Sequence, residues 1–284
     1  MKILVTGYTG QLGYDVVKHG LESGFNMVGL GSKDLDITQE SDVISFIRKQ
    51  SPDAIIHCAA YTAVDNAEDD KQTCWDINVK GTINLASAGK EVNAKFMYIS
   101  SDYVFDGSGE VPFKESDSTR PIGYYGQTKL EGETAIKQLL DKLFIVRISW
   151  VFGINGKNFV KTMLELSNSR DELNVVGDQV GSPTYTFDLA RLLIEMIQTD
   201  KYGVYHASNE GFCSWAEFAE EIFRQANKQV KVNPITTEEY PTRAPRPKNS
   251  RMSKQKLVDN GFPLLPSWQD AVKRYLNELA NEVK

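Results

Sequence analysis

The chain predicts an α/β fold: a Rossmann-like, doubly wound parallel sheet with a smaller C-terminal substrate-binding lobe. Three observations carry this. Strand-like and helix-like runs alternate through about the first 150 residues, the pattern of a parallel sheet with helices on both faces. The first apolar run, Ile3-Leu4-Val5, passes straight into Gly7-Tyr8-Thr9-Gly10-Gln11-Leu12-Gly13 and then an amphipathic segment. In that context a glycine-rich turn holds the phosphates of a dinucleotide. After Trp150 the alternation loosens. Residues 1–150 are therefore expected to form an NAD(P)-binding domain. Residues 151–284 are expected to form mainly the substrate lobe, with some segments returning to the first domain.

Strands are expected at 2–5, 27–30, 54–57, 95–99 and 143–148, where short apolar runs recur. Helices are expected at 11–23, 40–50, 71–92 and 124–140. In the first of these, Leu12, Val16, Val17 and Leu21 fall on one side at helical spacing. Beyond Trp150, helices are expected at 158–167, 186–198, 215–227 and 267–283, with strands at 173–176 and 203–206. The stretch 240–247 resists regular structure because Pro241, Pro245 and Pro247 cannot donate hydrogen bonds. There is no internal repeat and no low-complexity linker.

Composition narrows the function. The 284 residues are 41% hydrophobic, enough for a sizeable core. A net charge of -6 without a basic run argues against nucleic-acid binding. No apolar stretch approaches the roughly 20 residues that span a bilayer. Met1-Lys2 leads directly into the first strand, which leaves no room for a signal peptide. A cytoplasmic protein is expected. Cys58, Cys74 and Cys213 are odd in number and widely spaced, so they read as reduced and not as metal ligands. His57, inside a strand-like run, reads as a core histidine.

The chemistry lies in two signals that are weak alone and specific together. Gly7, Gly10 and Gly13, with Thr9, Gln11 and Leu12 between them, let backbone approach a pyrophosphate at a helix N-terminus. Tyr125 and Lys129, four residues apart, share one helix face. A free Tyr, with a pKa of about 10, is a poor acid–base group. A neighbouring ammonium is expected to lower it, and Lys129 can also bond the cofactor ribose. Ser101, just past the fourth strand, lies where ligands bind an open α/β sheet and can polarise a carbonyl. The expected reaction is carbonyl reduction by a nicotinamide, with Tyr125 as proton donor. The second strand leads into Gly31-Ser32-Lys33, and Asp34 is the first acid. A NAD-selective site places an acid at that strand end. Ser32 and Lys33 could instead meet a 2′-phosphate, so NADPH is the expected donor, with NADH admitted as well.

The glycine run with Ser101, Tyr125 and Lys129 resembles the extended short-chain dehydrogenases/reductases. Finer strings narrow it: Cys58-Ala-Ala-Tyr-Thr-Ala-Val-Asp65, Ser100-Ser-Asp-Tyr-Val-Phe-Asp-Gly107, Arg147-Ile-Ser-Trp150, Asp178-Gln-Val-Gly-Ser-Pro-Thr184 and Arg246-Pro-Lys-Asn-Ser-Arg251. Together they resemble the dTDP-4-dehydrorhamnose reductase family over nearly the whole chain. The resemblance implies reduction of the 4-keto group of dTDP-4-dehydro-β-L-rhamnose, within dTDP-rhamnose and polysaccharide biosynthesis. It implies Ala59, Ala60 and Thr62 at the nicotinamide and Asp36 and Ile37 at the adenine. It implies Thr62, Val64, Ser101, Asp102, Tyr103 and Trp150 around the sugar, although Trp150 reads equally as a core aromatic. Arg246 and Arg251 are candidates for the diphosphate.

Some members of the family are thought to bind Mg²⁺ at a dimer interface through three glutamates. The matching positions here are Asp15, Phe187 and Glu278, with Asp188 one residue away, so no obligatory metal is expected; a homodimer stays open. Two rival readings also stay open. Another nucleotide-sugar reductase, epimerase or dehydratase is disfavoured because Ser101 precedes Asp102 where dehydratases carry an acidic pair. A non-catalytic, cofactor-binding regulatory subunit is disfavoured by the intact Ser101, Tyr125 and Lys129.

Overall fold

The computed structural model describes residues 1–282. Its centre is a parallel sheet of six strands. Five come from the first half: β1 Lys2–Thr6, β2 Asn26–Leu30, β3 Ala54–His57, β4 Lys95–Ser101 and β5 Leu143–Ile148. The sixth, Gly203–His206, pairs with β5 from Gly203 opposite Phe144 to His206 opposite Arg147. Across the sheet the order is Gly203–His206, β5, β4, β3, β1, β2. β3 and β5 are buried along their whole length, as parallel strands with helices on both faces must be.

Strand order reverses between β1 and β3. From β1 the chain crosses through helix α1, Gln11–Glu22, to β2, then through helix α2, Glu40–Gln50, to β3 on the other side of β1. Such a reversal opens a crevice beyond the carboxyl ends of the strands. On one face of the sheet Val16 and Val17 of α1 pack with Leu189, Leu193 and Ile197 of the helix Thr186–Ile197. On the other face Val43 and Ile47 of α2 pack with Leu85 and Ile136. A third cluster lies outside the sheet, with Phe152, Phe218, Trp268 and Tyr275 at its centre. Segments beyond Trp150 thus join the sheet layers: the helix Thr186–Ile197, the strand Gly203–His206, and the stretch that carries Leu257, Phe262 and Leu265.

The structure departs from the expected elements in several places, among them a helix Gln255–Asp259 and short strands such as Val151–Phe152 and Thr184–Tyr185. The single helix expected over 71–92 is a helix Lys71–Trp75, a wider π turn Asp76–Gly81 and a helix Thr82–Glu91. In the π turn the Asn78 carboxamide serves two other segments. It accepts from the Tyr61 amide at 2.8 Å and donates to Thr128 Oγ1 at 3.0 Å. Such bulges are frequent near functional sites. The strand Glu172–Val176 pairs with Lys231–Ile235, which was not expected because Pro234 interrupts its apolar pattern. A two-stranded ribbon is all edge, where proline is tolerated. β4 also continues through Ser100 and Ser101, which bridge to Arg147 and Ile148 of β5. The expected end of the last helix, Val283, lies outside the described residues. The stretch 240–247 is irregular, as expected.

Candidate functional site

The crevice is a cleft of about 890 Å³. Gly7 forms its floor where the sheet order reverses. Its φ is +72°, and a Cβ there would lie 2.7 Å from the Ala59 nitrogen. Only glycine fits, so the β1 turn lies directly against the chain leaving β3. The Gly10 amide bonds Gly7 O at 2.9 Å, and α1 begins at Gln11. The result is a backbone cradle facing a helix N-terminus, the chemistry that suits a dinucleotide phosphate. The lobe braces this turn. Asn155 Nδ2 donates to Thr9 O at 2.9 Å, and Gln11 Oε1 accepts from the Gly153 amide at 2.9 Å.

The far end of the cleft is built by β4 and the helix Tyr124–Leu139. Glu68 Oε1 accepts from the Tyr124 amide at 2.8 Å, satisfying one free donor at that helix N-terminus. The helix sits tightly on the turn after β4, since a Cβ on Gly126 would lie 2.1 Å from Tyr103 O. This close approach brings Tyr125 to Ser101 and Asp102. The Tyr103 and Tyr125 rings meet edge to face, 5.5 Å apart. Ser101 Oγ donates to Asp102 Oδ1 at 2.9 Å and accepts from the Tyr103 amide at 3.2 Å. One turn on from Tyr125, Lys129 is buried, with its ammonium 4.1 Å from the Tyr98 ring centroid.

Electrostatics correct one expectation. Tyr125 is held above its ordinary pKa, not below it: burial is the main cause, the Asp102 carboxylate adds to it, and a Ser101 hydrogen bond opposes it. Lys129 moves instead. Burial pushes its pKa down to about 7, with the Glu133 carboxylate pulling it back up. Asp102 is pushed up to about 6 by burial, against hydrogen bonds from Ser250 and Ser101. The site therefore pairs a phenol that keeps its proton with a lysine close to its titration point. Such groups can pass a proton to a bound oxygen.

Most residues expected from the sequence meet in this one cleft. Of the residues expected at the cofactor, Gly7, Thr9, Gly10, Gln11, Leu12 and Gly13, and then Ser32, Asp36, Ile37, Ala59, Ala60 and Thr62, line it. Asp36 Oδ1 accepts from Thr38 N and Oγ1, and these bonds hold its carboxyl below the usual range. Of the residues expected around the sugar or in catalysis, Val64, Ser101, Asp102, Tyr103, Tyr125, Lys129 and Trp150 line the cleft as well. Trp150 lines the cleft while packing on the lobe cluster. Three residues depart from the expected grouping. Lys33 is exposed and outside the lining, while the nearby Asp34 carboxylate accepts from the Gly31 amide at 2.7 Å. Arg246 Nη2 donates to Asp65 Oδ2 at 2.7 Å, and Arg246 is not among the lining residues. Arg251 donates to Asn249 Oδ1 at 3.1 Å and lines a second cavity of about 510 Å³ with Phe212 and Glu217.

The sequence reading missed Cys58, Ser149 and Lys157, all of which line the cleft. Burial pushes the Cys58 thiol up to about 12, so it stays protonated. Lys157 follows the turn that braces Thr9, and only that distant contact brings it here. His57 is the core histidine expected. Thr6 Oγ1 lies 2.7 Å from its Nδ1 and Thr82 Oγ1 3.0 Å from its Nε2. The carboxylates at the matched metal positions are engaged elsewhere: Asp15 accepts from Thr186 Oγ1, and Glu278 from the Tyr185 hydroxyl. Among the described residues, no helix is long and apolar enough to cross a membrane.

Known proteins agree over the full length. The family described as RmlD substrate binding domain matches residues 1–281. A dTDP-4-dehydrorhamnose reductase of Aggregatibacter actinomycetemcomitans is 42% identical, over 96% of this chain and 97% of its own. A crystal structure of a dTDP-4-dehydrorhamnose reductase from Clostridium acetobutylicum is 44% identical, with a TM-score of 0.96 over 99% of this chain and 100% of its own. That of the Bacillus anthracis dTDP-4-dehydrorhamnose reductase in complex with NADP is also 44% identical, with a TM-score of 0.95 over 98% and 99%. The chain belongs to the dTDP-4-dehydrorhamnose reductase family.

Proposed function

We propose that this protein reduces the 4-keto group of dTDP-4-dehydro-β-L-rhamnose to give dTDP-β-L-rhamnose, with NADPH as the preferred donor and NADH as a second one. The observation that carries the reading is that Ser101, Tyr125 and Lys129 share one cleft with the Gly7 cradle. The backbone turn 7–13 would hold the pyrophosphate, Ser32 the 2′-phosphate and Lys129 the ribose hydroxyls. The reduced nicotinamide supplies the hydride. Ser101 turns its hydroxyl from Asp102 to the keto oxygen and fixes it. Tyr125 gives that oxygen its proton and recovers one from solvent. A phenol held protonated by burial is suited to donating at neutral pH.

The half after Trp150 supplies substrate choice, because the cofactor turn and the triad do not by themselves name a sugar. Arg246 is the diphosphate candidate best supported. Its buried Nη1 has no hydrogen-bond partner among the described residues, and its charge pulls on the Tyr103 phenol at the cleft wall. The cytoplasm suits the three cysteines, none of which is in a disulfide. The test is NADPH oxidation by the purified protein with dTDP-4-dehydro-β-L-rhamnose, beside the UDP analogue. Turnover faster with the dTDP sugar is expected. Stoichiometric NADPH binding without turnover would place the protein with the regulatory subunits instead.

A further inference from the structure

Trp150 enters the cleft with its backbone in the left-handed region, at φ +47°. Bulky residues avoid that region, so the surrounding structure must hold Trp150 there. Three contacts do so. Its carbonyl accepts from the Thr184 amide at 3.0 Å. Its indole lies flat on that of Trp215, with ring centroids 3.7 Å apart and planes 13° apart. Gly181 approaches the six-membered ring so closely that a Cβ would lie 2.9 Å from Cε2 and 3.0 Å from Cζ2. Trp215 is itself well fixed. It opens the helix Trp215–Gln225, whose start is tied by the reciprocal bonds of Ser214 and Glu217. The Phe159 ring packs on it at 4.7 Å. Yet Trp215 is not among the residues that line the cleft.

We propose that Trp215 is a positioning residue for the sugar site: together with Gly181 it clamps the Trp150 indole as a rigid wall against which the sugar is held. The proposal rests on the reading of this cleft as a nucleotide-sugar site. The part of the indole that lines the cleft offers apolar surface to a deoxysugar. It helps binding only if it is already in place, because an indole free to turn must be ordered each time a sugar enters. The strained backbone of Trp150 makes that ordering depend on its neighbours. Trp215 holds the indole by stacking, and the absent side chain of Gly181 leaves it room.

The test is steady-state kinetics of Trp215→Ala, Trp215→Phe and Gly181→Ala, varying the dTDP sugar and NADPH separately. Trp215→Ala should raise the KM for the sugar by about tenfold, the upper range for loss of an aromatic pair. The KM for NADPH should stay near wild type, and Trp215→Phe should recover most of the loss. Gly181→Ala pushes on the same indole, and on Ser250 Cβ at 3.0 Å, without touching Trp215, and should show the same one-sided rise. If Trp215→Ala fails to fold, Gly181→Ala decides. An unchanged sugar KM in Gly181→Ala and, where it folds, in Trp215→Ala overturns the clamp. So does an equal rise for both ligands, or a fall in kcat alone. Wild-type turnover in the same assay separates the two failures: turnover with unaffected variants sinks only the clamp, and its absence sinks the functional reading and the clamp with it.

Discussion

Gly7 and Ala59 touch backbone to backbone across the point where the sheet reverses, with 2.7 Å between the place of a Gly7 Cβ and the Ala59 nitrogen. A side chain at Gly7 would meet both that wall and a φ of +72°. Gly7→Ala should therefore cost about 1–3 kcal/mol of stability and weaken NADPH binding. Thermal unfolding and a fluorescence titration with NADPH check this. Unchanged binding would mean that the cradle is not where the dinucleotide lies.

Lys129 sets the expected pH dependence of the reaction. Burial pushes its pKa down to about 7, so its charge is present below that pH and is lost above it. Tyr125 keeps its proton throughout, because burial raises it. For keto-group reduction, kcat/KM should fall as pH rises through about 7, a limb that belongs to the free enzyme. A profile that is flat or rising between neutral and mildly alkaline pH would contradict the assigned role of Lys129.

Stability should respond to acid through two buried histidines. His57 and His206 are pushed down from 6.5 to about 3, chiefly by burial. Between those values the unfolded chain binds more protons than the folded one, so stability is lost as pH falls from about 6.5 toward 3. Asp102 acts the other way. Its pKa rises from 3.8 to about 6, so the folded state takes the extra proton and one group offsets part of the loss from two. Melting temperatures measured in steps from neutral to acid pH should fall. His206→Gln should flatten the fall, and an identical slope in that variant would exclude His206 as a cause.

Arg246 tests the division of labour between the halves of the chain. Its guanidinium is held by Asp65 at 2.7 Å. Arg246→Ala should raise the KM for the dTDP sugar by about tenfold to a hundredfold, the range for losing a hydrogen bond to a charged group. The KM for NADPH should barely move. Equal losses for both would assign Arg246 to the fold rather than to the diphosphate.

What the sequence made legible was local. Tyr125 and Lys129 are one helical turn apart, so spacing alone placed them together, and the glycine turn followed directly from the strand before it. What it hid was long-range. Arg246 looked free on paper because nothing near it in sequence announces Asp65. Lys157 reaches the cleft only because Asn155 and Asn158 bond the distant turn at Thr9 and Gln11. The strand Lys231–Ile235 carries Pro234 within it, and the π turn after Trp75 lies in Asp76-Ile-Asn-Val-Lys-Gly81, where no proline marks a change of helix. The direction of the Tyr125 shift was misjudged because spacing shows a nearby lysine but not how deeply both groups are buried.

The central claim is that Tyr125 delivers the proton, and Tyr125→Phe tests it most directly. The variant keeps the ring and its edge contact with Tyr103 and loses only the hydroxyl. The measurement is single-turnover oxidation of bound NADPH by dTDP-4-dehydro-β-L-rhamnose, with NADPH affinity determined in parallel. A rate lower by about 100- to 10,000-fold, at unchanged NADPH affinity, is the predicted result. A Phe variant that turns over at near the wild-type rate would contradict it.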